Sequence, residues 1–152
     1  MIRAIVTLDA FSPETEVARF SAERSGSCGA LVTFTGYCRA RSDRRHVEHL
    51  DLDHYPGFTD AEVERLTRAV AEKHAVHDVL VIHRAGMIAA GEAIVLVAVS
   101  SAHRASAFAA AEELMDRLKT DAPFWKRECG PAGAHWVDPT DEDYVRREEH
   151  GE

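Results

Sequence analysis

Five cationic side chains in this sequence stand at the ends of apolar segments rather than inside charged runs. Arg39 closes GALVTFTGYC, and His103 and Arg104 follow AIVLVAVSSA. Lys119 comes at the end of a helical pattern, and Lys126 lies just past Pro123. Element ends are where functional side chains are usually assembled on a scaffold. The residue types suit an anion: Arg offers a two-pronged fork to phosphate or carboxylate, and a desolvated Lys serves as donor, nucleophile or proton shuttle. Only three lysines, Lys73, Lys119 and Lys126, occur against fifteen arginines. Either Lys is kept where a compact, titratable amine matters, or codon bias has left three chance survivors; Lys73 is expected to be a bystander on an exposed helix face. A strand feeding a helix at Ser100 and Ser101 leaves backbone N–H groups that a Ser can cap and an anion can bind. His103 and Arg104 in the first turn would oppose the helix dipole, and a bound anion relieves that conflict.

Other chemistries have weaker spacing. His46, His49, Asp51, Asp53 and His54 are metal-type ligands packed closely together. Strand alternation puts only His49, Asp51 and Asp53 on one face, about 7 Å apart at each step. That spread is poor for one tetrahedral zinc, so no metal is expected, and no cofactor. Ser100, Ser101 and His103 lack the GxSxG elbow of a serine hydrolase. Cys129 beside Lys126 and Arg127 has a cationic setting and no other mark of reactivity.

Ten elements must position these residues. Residues 2–8 read as a strand, and Ser12-Pro13-Glu14 starts a helix running to about residue 22. A strand over 29–37, a basic loop over 38–46 and an alternating strand over 48–55 suggest an antiparallel hairpin. Thr59 is placed to cap a helix over 60–74 with Val63, Leu66 and Val70 inward. Two strands follow at 78–83 and 92–99. The main helix spans 102–120 with Phe108, Ala111, Met115 and Leu118 as its buried stripe, and Pro123 stops it. Short strands at 124–128 and 134–137 complete a single compact domain over 1–137. Residues 138–152 are acidic and read as a loosely held tail. The fold class is α+β, a mostly antiparallel sheet packed against about three helices.

The whole chain sets limits. Its 152 residues suffice for one domain with a real core, and its net charge of −8 excludes general nucleic-acid binding. The N-terminus begins as a strand, so no signal peptide is expected, and no apolar run reaches the ~20 residues of a membrane span. Cys28, Cys38 and Cys129 are odd in number and form no CxxC pair, which fits a reduced cytoplasmic setting.

Taken together, GALVTFTGYCR, LDHYPGF, VIHRAGMIAAGE, VSSAHRASAF and MDRLKTDAPFWKRE resemble the catalytic large subunit of molybdopterin synthase. The similarity runs over residues 29–136. It departs in the loop, where Ala40-Arg41-Ser42 replaces an Asn-rich stretch, and at Asp53, where a Glu is usual. The resemblance implies a sulfurtransferase of molybdenum cofactor biosynthesis. Two sulfurs would pass from a thiocarboxylated ubiquitin-like small subunit to cyclic pyranopterin monophosphate. It also implies a homodimer within a heterotetramer, Lys119 and Lys126 as the catalytic pair, and Arg39, His103 and Arg104 at the substrate's anionic groups. A non-catalytic module that binds a phosphorylated metabolite or a ubiquitin-like tail is the alternative reading.

Spacing adds one constraint. His103 and Lys119 fall on one helix, with backbones roughly 24 Å apart at 1.5 Å per residue. Side chains of about 6 Å cannot close that gap around one small pterin. The expectation is a site shared across a twofold dimer: Lys119, Lys126 and Arg39 from one chain, His103 and Arg104 from the other.

Overall fold

A computed structural model describes residues 1–151. The first sheet has the order β1 (Ile2–Thr7), β6 (Asp78–Arg84), β8 (Ala93–Ser101), β2 (Ala30–Tyr37), with β1 parallel to β6 and the other pairs antiparallel. The second is fully antiparallel, in the order β10 (Gly133–Val137), β9 (Phe124–Gly130), β5 (His49–His54), β7 (Gly86–Ala89). The expected α+β class holds. The strands flanking the basic loop do not form a hairpin, however: β2 pairs with β8, and β5 pairs with β7 and β9. The loop folds on itself instead, β3 (Arg41–Ser42) against β4 (Arg45–His46), turning at Asp43 with φ 55°.

Strands β6 and β8 are nearly continuous apolar runs because both their faces are covered. Val79, Val81, Val95, Val97 and Val99 face helices α2 (Phe58–His74) and α3 (Arg104–Thr120). The alternate residues Leu80, Ile82, Leu96 and Ala98 meet Phe20 of α1 (Pro13–Ala22). Helix α1 starts as its sequence requires, with Ser12 Oγ accepting from the Thr15 N–H at 3.3 Å. A smaller core of Cys38, Val47, Leu50, Leu52 and Ile88 lies under the second sheet. Ile94 and Phe124 pack against both this cluster and the α2–α3 core, so they form the seam between the two layers.

Three local expectations are corrected. Gly57, with φ 85°, is the N-cap of α2. Thr59 is buried in the first turn, its hydroxyl accepting from the Tyr55 N–H at 2.8 Å and donating to the Pro123 carbonyl at 3.1 Å. The buried stripe of α3 is rotated from the expected one: Ala107, Ala110, Ala111, Leu114 and Leu118 point inward, while Phe108 is 60 % exposed. The segment expected to be a loosely held tail contains a folded element over residues 141–148. Helix α4 (Asp141–Glu148) has a reciprocal cap between Thr140 and Asp143 and docks on α3 through Arg146–Asp116 and Arg147–Asp121 contacts. Lys73 lies on an exposed helix face, as expected, and its amine reaches a buried carboxylate. It donates at 2.8 Å to Glu113, whose side chain is 1 % exposed.

The stripe gives a direct test. Leu114→Ala, at a fully buried position, should cost about 2–5 kcal/mol in urea denaturation. Phe108→Ala should stay within about 0.5 kcal/mol of wild type, as surface changes do; equal losses would mean that the helix faces the core differently.

Candidate active site

Lys126 stands on β9, opposite Leu52 of β5 and Val137 of β10. Residues directly opposite in an antiparallel pair share a face, so Lys126 projects with buried Leu52 toward the interior side of the sheet, as Phe124 and Glu128 do. It is half-buried. Its ammonium is held below the ordinary lysine range, first by desolvation and then by the like charges of Lys119 and Arg39, with Glu128 pulling the other way. The structure thus brings Lys119, Lys126 and Arg39 into one electrostatic neighbourhood. An amine so placed titrates nearer neutrality and can both donate and accept a proton.

Lys119 occupies the last turn of α3, where a cation suits the helix dipole. It is exposed, with Nζ 3.7 Å from Asp143 Oδ1 of α4. Arg39 is exposed just past the end of β2. His103 and Arg104 lie at the other end of α3, both exposed, and one chain does not bring them to the lysines. Ser100 and Ser101 belong to β8 and are buried; the N-cap is His103, whose side chain makes no capping hydrogen bond. The strand end is held tightly all the same. The Gly29 N–H donates to the Ser101 carbonyl at 2.9 Å, and a Cβ at Gly29 would fall 2.2 Å from the Ala102 oxygen. A cleft of about 420 Å³ between Asp53, Tyr55, Trp125 and Trp136 includes none of the five cations.

Residues 6–121 match the family model described as MoaE protein. The chain belongs to the MoaE protein family. A molybdopterin synthase catalytic subunit from Caulobacter vibrioides is 46% identical over 141 residues, 91% of this chain and 92% of the relative. The molybdopterin biosynthesis MoaE protein from Burkholderia ambifaria superposes with a TM-score of 0.78 at 37% identity, covering 97% of each chain. Molybdopterin synthase from Staphylococcus aureus gives 0.78 at 28% identity, covering 88% of this chain and 96% of its own.

Three neighbours of the lysines in this MoaE chain are not visible as site residues in the sequence. Glu128 is buried and paired with Arg45 at 3.1 Å; its spacing of two from Lys126 on a strand is the signal that they share a face. Asp143 comes from α4, a segment whose polar composition hides its docking. His83 is buried and stacked on Phe124, with ring centroids 4.0 Å apart, its Nδ1 2.8 Å from the Arg84 carbonyl.

Burial holds the His83 pKa down to about 4, against 6.5 for an ordinary histidine, with the nearby charge of Lys126 adding to the shift. Above pH 6.5 the ring is neutral folded and unfolded, so its stabilising contribution is complete. Between pH 6.5 and about 4 only the unfolded chain takes up the proton, so stability falls across that window. Urea midpoints of wild type and His83→Gln should therefore converge as the pH drops through this range. Parallel curves would place the acid sensitivity elsewhere.

Proposed function

We propose that this chain is the catalytic subunit of a molybdopterin synthase, an enzyme that forms the dithiolene of molybdopterin by sulfur transfer. It works with a small subunit. The substrate is cyclic pyranopterin monophosphate, and two sulfurs arrive on the C-terminal thiocarboxylate of a ubiquitin-like sulfur carrier. The observation that carries this reading is the half-buried Lys126 under the influence of Lys119 and Arg39, in a member of the MoaE family. Lys119, exposed at a helix end, orients the incoming thiocarboxylate and stabilises the charge that develops on it. Lys126, with its lowered pKa, is the second cation and the acid–base group. Arg39, His103 and Arg104 bind the anionic groups of the pterin. No helix among the described residues is long and apolar enough to cross a membrane, and a cytoplasmic site of action suits three free cysteines.

The same residues argue for a homodimer inside a heterotetramer. Helix α3 runs from Arg104 to Thr120 without a break, so its ends are separated by roughly 24 Å. A phosphate held by His103 and Arg104 cannot also lie beside Lys119 of the same chain. In a twofold assembly, the helix start of one protomer completes the pocket at the helix end of its partner.

Lys119→Ala should lower turnover with thiocarboxylated small subunit and pterin precursor by about 10²–10³-fold while leaving the fold intact, the effect of removing one preorganised charge donor. Lys126→Ala should be similarly impaired. Near-normal turnover of either would remove its assigned role.

Mixing inactive Lys119→Ala with inactive His103→Ala after subunit exchange should restore activity, since each mixed dimer regains one intact pocket. A mixture that stays inactive despite proven exchange would confine the pocket to one chain.

A further inference from the structure

The face of the second sheet turned away from Leu50 and Leu52 carries a cluster that sulfur transfer does not use. His49 and Cys129 are direct cross-strand partners on β5 and β9. Asp51 is two residues along β5, so the pleat puts all three side chains on the same outer face. Asp51 Oδ2 lies 3.5 Å from Cys129 Sγ and 3.7 Å from His49 Nε2. One ligand atom from each residue falls within 4.8 Å of the others.

These separations can be compared with what an ion requires. Tetrahedral zinc holds a thiolate sulfur at about 2.3 Å and imidazole nitrogen or carboxylate oxygen at about 2.0–2.2 Å. Bonds of those lengths put neighbouring sulfur and oxygen about 3.5 Å apart and neighbouring nitrogen and oxygen about 3.4 Å apart. The two Asp51 contacts already match to within about 0.3 Å, and the Cys129–His49 pair lies within 4.8 Å. The donor set is equally selective. Thiolate, imidazole and one carboxylate suit a borderline ion, whereas magnesium and calcium take oxygen shells.

We infer that His49, Asp51 and Cys129 bind a divalent ion of the zinc class, with the fourth coordination position open to solvent. All three residues are half-buried, so an ion reaches them from solution. Binding exchanges the Cys129 S–H bond for a sulfur–metal bond; the proton passes to solvent and no electron moves. Arg127 is the opposing charge. Its Nη2 donates to Asp51 Oδ2 at 3.0 Å, and its guanidinium lies 5.4 Å from the centre of the Trp136 ring. An ionised carboxylate has two oxygens and about four acceptor directions, so the guanidinium and the ion can share it. Trp136 keeps Arg127 in place as they do. The bound ion clips β5 to β9, the strand whose other face bears Lys126.

The experiment is a Co²⁺ titration of the full chain under reducing conditions, followed by Zn²⁺ competition. The expected result is saturation at one ion per chain, with a thiolate-to-cobalt charge-transfer band that Zn²⁺ removes. Cys129→Ser should abolish the band. His49→Ala and Asp51→Asn should weaken Zn²⁺ binding by about tenfold or more, at least what the loss of an outer partner of a ligand costs. Cys28→Ser, the control for the other half-buried thiol, should change neither, and circular dichroism checks that each variant is folded. Should Cys129→Ser misfold, loss of binding in folded Asp51→Asn and His49→Ala carries the same conclusion. A band that survives in folded Cys129→Ser, a band lost in Cys28→Ser, or no saturable binding by wild type would overturn the inference.

Discussion

Glu113 lies on the side of α3 that meets α2, with its side chain 1 % exposed, and a carboxylate cannot stay ionised in such a place without donors. It has them. Lys73 Nζ at 2.8 Å and His74 Nε2 at 2.9 Å come from α2, and Arg117 Nε at 2.7 Å from the next turn of α3. His150, beyond α4, adds a ring nitrogen at 3.4 Å. Burial alone would raise the Glu113 pKa, yet the donation from Lys73, His74 and Arg117 outweighs it and holds the group at about 2. Removing one partner of a buried pair typically costs about 3–5 kcal/mol, because the other charge is stranded. One side chain therefore ties α2, α3 and the C-terminal segment together beside their apolar core. Lys119 follows on the same helix, so its placement depends on that fixed point as well.

Local signals were legible wherever the chain's own geometry decides the outcome. Ser12-Pro13-Glu14 announced α1 because an N-cap acts within three residues. The apolar runs of β6 and β8 announced themselves because both faces are covered. What stayed hidden was set by contacts distant in sequence. The partners of β2 and β5 depend on which sheet each joins, and a basic loop between two strands looks the same in either case. Phe108 reads as core by its place in an apolar helical stripe, whereas α3 approaches its sheet through alanines, whose small side chains let helix and strand come close. The docking of α4 rests on arginines meeting carboxylates of α3, and composition alone reads those residues as solvated.

The candidate site divides the same way. Its cations could be named from their positions at element ends and from the motifs around them. That Lys126 is held toward neutrality could not, because this depends on burial beside Lys119 and Arg39. The three ligand-type residues on the outer face divide differently again. Sequence alternation groups His49 and Asp51 with Asp53, but the third close partner is Cys129, brought in by the register of β9.

The seam between the two layers has a mechanical consequence. Lys119 travels with α3 and the first sheet, while Lys126 travels with the second, and Ile94 and Phe124 pack against the cores of both. Their packing resists sliding of one sheet over the other, alongside the Thr59–Pro123 hydrogen bond. The gap between the two ammonium groups is thus a gauge of that slip, as stiff or as compliant as the packing of two apolar side chains. Trimming Phe124 would loosen the gauge while leaving both lysines in place.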